Sequence, residues 1–277
     1  MAMEFGCQGS TWVLDYDEEA DIMNQIMDDI KNSELTGLDM QISLLGEYKN
    51  APEKFKEELD KRGLKLAALT IPHAFEGGEA SSKERELEDY YFEYLKHFPG
   101  AIMNVPSRVG KNRDNLLQRQ KEIIKGANEL GKRAIEDHGI ITSLHPISYV
   151  TSYWRFKEDY DVLFDGLDPR YMGYTPDAGH IEFGGMEAAD IIKQALPLIK
   201  HVHFKDASKN NEWKKTGEGD IDFVKCINVL KDGGYNGWVM LEEETGSEHE
   251  DTSEVILELG DYVKKNIYPI VKGEKGT

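Results

Sequence analysis

Eight short apolar runs punctuate this chain of 277 residues, and amphipathic stretches separate them. The runs are MEFGCQG (3–9), GLDMQISLL (37–45), LKLAALTIP (64–72), AIMNVPS (101–107), GIITSLHP (139–146), MGYTPDAG (172–179), HVHFKDA (201–207) and GWVMLEEE (237–244). Between them, Ile22, Ile26 and Ile30 recur at one helical face, as do Phe55 and Leu59. Leu87, Tyr91, Leu95 and Phe98 extend the same spacing over three turns, and Ile123, Ala127, Leu130 and Ala134 do so again. Phe223, Ile227 and Leu230 mark a helix before the last run, and Val255, Leu259 and Val263 mark a closing one. Gly63 and Gly139 stand just before strands, where helices end.

Strand–helix alternation predicts parallel strands with helices outside them. Eight such units in about 250 residues predict an α/β fold, a single (β/α)8 TIM barrel occupying residues 1–277 as one domain. A doubly wound open sheet would want a phosphate-binding turn after its first strand, and CQGSTWVLDYDEE is not GxGxxG. The formal net charge of −19 disfavours nucleic acid and anionic membrane surfaces as partners. A small neutral substrate, or one held through a cation, suits it better. Cys7 and Cys226 form no CxxC pair, no signal peptide opens the chain, and no apolar stretch approaches a membrane span. A reducing cytoplasm is therefore the expected compartment.

In such a barrel the chemistry gathers where strands end, on their inward faces. The last four runs carry polar residues there. His145 shares a face with Ser143, Asp177 with Thr175, His203 with His201 and Lys205, and Glu242 with Glu244. The steps of 32, 26 and 39 residues between His145, Asp177, His203 and Glu242 each suit one strand–helix unit. A lone histidine at a strand end is more often a hydrogen-bonded core residue than a ligand, and a lone EEE is usually a solvated turn. Their joint occurrence on consecutive strands reverses that preference. Carboxylates and imidazoles converging at one rim strand charge unless something cationic joins them. One divalent ion (Mn, Mg, Co, Fe or Zn) would serve, and no nearby thiols suggest a cysteine-type zinc site. Trp12 and Trp154, each after a strand end, are candidates to present a ring to the apolar face of a bound substrate.

At these residues the sequence resembles the xylose-isomerase-like barrel superfamily of sugar isomerases, epimerases and inosose dehydratases. DAGH resembles the family's DxGH, HVHFKD its HxHxKD, and GEGDIDF…GGYNGWVMLEEE its GxGxxDF…GYxGxxxxE. The resemblance implies Asp177, His203 and Glu242 as metal ligands, and His180 as a residue that meets a substrate oxygen beside the metal. It implies that Lys205 and Glu244 lie near the substrate. Relatives often pair through barrel faces or work with a small partner subunit, so a homo-oligomer or such a subunit is implied as partner.

Strand five departs from that pattern. Many relatives end it on a ligand Glu, and here SLHPISYVTSYW carries His145 and no Glu before Glu158, with Tyr153 about where a loop Glu is expected. His145 is thus either the fourth ligand or a free base. A two-Glu epimerase scheme then lacks a partner for Glu242, and a single base beside a metal-held ketone suits enolisation with loss of a leaving group. The expected function is a metal-dependent lyase on a keto-sugar or keto-polyol, similar to inosose dehydratase, with His145, His180 and Glu242 as its acid–base groups. The alternatives are a ketose isomerase or epimerase, a lyase subunit cleaving 3-keto glycosides or C-glycosides, and a non-catalytic sugar-binding or partner subunit.

Overall fold

The structure, a computed structural model, describes residues 3–245 and 251–273. All eight apolar runs contain a strand. These are β1 (Glu4–Gln8), β2 (Gly37–Gln41), β3 (Lys65–Thr70), β4 (Ile102–Pro106), β5 (Thr142–His145), β6 (Met172–Tyr174), β7 (Val202–Ala207) and β9 (Trp238–Glu242). A short extra strand, β8 (Trp213–Lys214), folds back antiparallel on the end of β7. The sheet order is β6-β5-β4-β3-β2-β1-β9-β7-β8, and every pairing among the eight long-run strands is parallel.

The two ends of this curled sheet, β6 and β7, do not share a continuous ladder. They meet through two isolated parallel bridges, Tyr174 with Ile199 and Asp177 with His203. Pro176 explains the break: it has no N–H to donate, so it contributes only its carbonyl, which accepts from His203 N at 2.9 Å. The predicted eight-stranded barrel is therefore present as eight parallel strands whose regular pairing is interrupted at this seam.

The helices follow from local sequence. In α2 (Pro52–Arg62), Pro52 occupies the first turn, Phe55 and Leu59 are buried on one face, and Gly63 ends the helix at φ 72°. Gly139 ends the helical run that follows α4 (Leu116–Arg133) in the same way, at φ 71°. The other predicted periodic segments appear as α1 (Met23–Asn32), α3 (Ser82–Leu95), α8 (Phe223–Asp232) and α9 (Thr252–Tyr262). Four helices were not among the segments singled out from the sequence: α5 (Lys157–Gly166), α6 (Ala178–Phe183), α7 (Ala188–Ala195) and α10 (Tyr268–Lys272), although α7 does bury one face through Ala188, Ile191, Ile192 and Ala195. The first buries only two large apolar side chains, Tyr160 and Leu163, and α6 is a single short element within a polar motif. No helix among the described residues is long and apolar enough to cross a membrane.

Helix α6 lies directly on β7, and glycine makes that contact possible. A Cβ at Gly179 would stand 2.7 Å from the Lys205 carbonyl oxygen and 2.7 Å from the Trp213 ring. Gly179→Ala is expected to lower unfolding free energy by about 1–3 kcal/mol through overpacking, measured by denaturant titration; an unchanged midpoint would mean the two elements separate freely.

Candidate active site

The four strand ends singled out from the sequence converge. His145 closes β5, Asp177 follows β6, His203 lies on β7 and Glu242 closes β9, and all four are buried. Ligand atoms of His145, Asp177 and His203 lie within 4.8 Å of one another. His145 Nε2 stands 3.5 Å from Asp177 Oδ2, and His203 Nδ1 stands 3.3 Å from Glu242 Oε2. Asp177 is shared between fold and site: its Oδ1 caps α6 by accepting from the His180 N–H at 2.9 Å, which leaves Oδ2 facing its neighbours.

Orphaned atoms mark the centre of this group. Asp177 Oδ2, His203 Nδ1 and both ring nitrogens of His145 are buried without a hydrogen-bond partner. Buried polar atoms are ordinarily paired, so unpaired atoms on three residues whose ligand atoms lie within 4.8 Å of one another suit a ligand that would satisfy them. Nitrogen and carboxylate donors together suit a borderline or hard divalent ion. The residues present thus fit a metal: His145, Asp177 and His203 are grouped closely enough to hold one, with Glu242 beside His203.

A second layer orients that set, and it rests on a residue that the sequence reading passed over. Asp39 on β2 accepts from His203 Nε2 at 2.8 Å and from His201 Nε2 at 2.9 Å with the same oxygen, Oδ2. With Nε2 carrying that proton, His203 presents Nδ1 to the site, the carboxylate–histidine arrangement that fixes a metal ligand's tautomer. Asp39 Oδ1 accepts from Thr70 Oγ1 at 2.6 Å. Asn104 donates to Thr70 at 3.2 Å, Thr175 donates to Asn104 at 3.0 Å, and Ser143 lies 2.7 Å from Thr175. A polar band thus crosses the barrel interior from β2 to β6 beneath the site. The available signal was a carboxylate in the middle of an apolar run, GLDMQ, which burial obliges to find partners.

Lys205 supplies a positive charge that the sequence argument had assigned to a metal alone. Its buried ammonium lies 2.9 Å from Glu244 Oε1, 3.2 Å from Glu242 Oε1 and 3.7 Å from Asp177 Oδ2. It also lies 3.3 Å from His180 Nε2 and 4.4 Å from the Trp213 ring centre. Donation from Lys205 makes Nε2 of His180 the acceptor, so Nδ1 carries the proton towards Ser148 Oγ, 3.5 Å away. Ser148 in turn donates to the His180 backbone carbonyl.

Charge states follow from these contacts. Burial opposes ionisation of Asp177 and Glu242 more than any single neighbour favours it, but Lys205 together with the adjoining histidines outweighs it and holds both carboxyls well below their usual range. Burial likewise disfavours a charged His203, yet Asp39 and Glu242 raise it to about 10, so without a metal its Nδ1 also carries a proton towards Glu242, and a metal would take that nitrogen by displacing the proton. Burial and the adjacent Lys205 push His180 down to about 3, and burial keeps His145 low as well, so both are neutral imidazoles near pH 7. Glu244 goes the other way: burial and the Glu242 charge raise it to about 8, against the opposing pull of Lys205.

Above the group opens a cavity of about 440 Å³ lined by His180, Glu244, Trp213, Tyr16 and Tyr149, among others. Neither tryptophan chosen from the sequence lines it. Trp154 is fully buried in the core. Trp12 faces a separate cavity with Ser10 and Glu243, and its indole N–H is taken by Asp29 Oδ2 at 3.0 Å. Both are corrections of depth: position after a strand end says nothing about whether a ring turns outward to solvent or inward to packing. The aromatic wall is instead Trp213, stacked on Phe183 at 3.9 Å and edge-on to His180 at 5.5 Å. It sits in the hydrophilic stretch NNEWKK, where a solitary tryptophan was the signal. Tyr153, in place of the expected loop Glu, packs against Gly110 and under Arg119.

A sequence model of the family described as xylose isomerase-like TIM barrel matches residues 28–262. The inosose dehydratase of Clostridium tetani (strain Massachusetts / E88) is 27% identical over 163 residues, 52% of this chain, and the match spans only 54% of that relative's length. The inosose dehydratase of Lactiplantibacillus plantarum (strain ATCC BAA-793 / NCIMB 8826 / WCFS1) is 22% identical, with 88% of this chain and 89% of the relative aligned. Among solved structures, an IOLI protein with a binding zinc atom superposes with a TM-score of 0.75 at 16% identity, covering 96% of this chain and 100% of the other.

If Asp39 orients His203, Asp39→Asn is expected to weaken Mn²⁺ or Zn²⁺ binding about 10–100-fold in a chelator-competition titration while the protein stays folded. Unaltered affinity would detach Asp39 from the metal set.

Proposed function

The chain belongs to the xylose isomerase-like TIM barrel family, and we propose that it is a divalent-metal-dependent lyase of the inosose dehydratase kind, which enolises a keto-polyol and removes water from it. The observation that carries this reading is the set of orphaned, buried donor atoms on His145, Asp177 and His203, with Glu242 alongside. The names of the inosose dehydratase relatives support the reaction class. Bound there, a divalent ion would supply Lewis acidity to the ketone oxygen, where enolisation gathers negative charge; manganese is the first ion to test.

His145 joins the ligands in this reading. A general base is ordinarily oriented by a third group, and neither ring nitrogen of His145 has a hydrogen-bond partner. Glu242 is also poorly placed to swing free as a base, since its two oxygens lie against Lys205 and His203. Proton removal falls to Glu244, the carboxylate that lines the cavity next to the ligand set and is held by Lys205.

The step balances on one group. Glu244 takes the proton from the carbon next to the ketone, and the freed electron pair moves towards the ketone oxygen. On collapse, the C–O bond one carbon further breaks, and the departing hydroxyl takes the proton back from Glu244 and leaves as water. Lys205 holds the carboxylate in place throughout, and His180 offers its ring to a substrate hydroxyl. Epimerisation would need a second base across the ring, and β5 ends on His145 rather than on a carboxylate.

Mass spectrometry of a keto-inositol incubated with Mn²⁺-loaded protein is expected to show loss of one water; retained mass with altered stereochemistry would make the enzyme an epimerase instead. Asp177→Ala and His203→Ala are expected to lose both metal and turnover. Glu244→Gln should keep the metal and slow turnover about 10²–10⁴-fold; full activity in that variant would remove Glu244 from the chemistry.

A further inference from the structure

The mouth of the cavity is more apolar than a polyol requires. Leu14 is 53% exposed, Val109 36% and Tyr149 45%. Single exposed apolar residues are ordinary on protein surfaces, but these three come from three separate loops, those after β1, β4 and β5, and gather at one opening. Leu14, Val109 and Tyr149 line the same cavity as His180 and Glu244. Tyr149 joins the two zones: its ring meets that of His180 at 5.6 Å, close to perpendicular, while much of it faces outward.

The charges at this mouth disfavour an anion. Arg108 is the cation in the described lining, and both of its terminal nitrogens are taken by Asp17, at 3.1 and 3.2 Å. That pairing holds the Asp17 carboxyl below its usual range. Asp15 and Glu244 add acidic groups to the same lining. A phosphorylated sugar would meet carboxylates and an arginine already engaged, whereas an uncharged group would meet apolar side chains. The cavity volume of about 440 Å³ also falls among clefts of about 300–1,000 Å³ that hold drug-sized ligands, more space than one six-carbon ring fills.

We propose that the rim formed by Leu14, Val109 and Tyr149 is a subsite for an uncharged aromatic or alicyclic substituent, so that the substrate class extends from the keto-polyol to keto-sugars that carry such a group. The proposal deepens the lyase reading and rests on its placement of the polar ring over His180 and Glu244. The polar ring lies at the floor and the substituent projects to the mouth, where burying it against the rim adds affinity.

Calorimetric titration with phenyl β-glucoside and methyl β-glucoside tests this without turnover. The phenyl compound is expected to bind about tenfold tighter or more, and the variant Leu14→Ser with Val109→Ser should bring the two compounds close to parity, with folding checked by denaturant titration. Equal affinities, or binding of neither compound, would overturn the subsite; water loss from a keto-inositol, measured separately, would leave the lyase reading intact. A phenyl preference without any water loss would keep the subsite and remove the dehydratase. A phenyl preference unchanged by the two substitutions, with a dimer that they dissociate in size-exclusion chromatography, would make the rim an interface between copies of this chain and overturn the proposal.

Discussion

One buried ammonium organises the mouth of this barrel. Lys205 sits among Asp177, Glu242 and Glu244 with almost no access to solvent. Gathering carboxylates in a dry volume is costly unless opposite charge compensates them. Lys205 provides part of that compensation, and His203, cationic between Asp39 and Glu242 unless a metal replaces its Nδ1 proton, provides more. Because the compensation comes from strand residues, it is fixed by the backbone: Lys205 and His203 lie two residues apart on β7, facing the same way. The arrangement that keeps Asp177 and Glu242 ionised also keeps them available to a metal.

Asp39 shows how far below the chemistry this organisation reaches. It accepts hydrogen bonds from two histidines through one oxygen and from Thr70 through the other, and the band continues to Asn104, Thr175 and Ser143. The interior of the barrel at this level is hydrogen-bonded rather than packed with aliphatic side chains. Such a band gives direction where apolar packing gives only volume, and direction is what the His203 ring needs if one nitrogen must face the site and the other must not.

Much of this was legible in the chain because a strand alternates strictly. Period two places His203 beside Lys205, and Glu242 beside Glu244, on inward faces, and the spacing of runs brings Asp177 next to His203. What alternation does not encode is depth along a loop and partners from distant strands. Trp12 and Trp154 satisfied the same rule as Trp213, yet one donates to Asp29, one is sealed in the core, and only Trp213 reaches the cavity. Asp39 pairs with residues more than 160 positions away, a relation that the folded barrel creates and the local pattern cannot express. The seam between β6 and β7 is a similar case, since Pro176 signals a break in pairing but not that a ligand would stand beside it.

The two glutamates at the end of β9 show how this geometry divides labour. They are two residues apart, on one face, and both touch Lys205. Glu242 lies deeper, within reach of His203, and the cations beside it keep it ionised in spite of burial. Glu244 lies one step nearer the mouth, and its carboxyl rises to about 8 because burial and the charge of Glu242 outweigh Lys205. A single increment along a strand thus separates a carboxylate suited to holding a cation from one suited to taking and returning a proton near neutral pH. Neither property belongs to glutamate as a residue type; each comes from where the strand ends relative to one lysine.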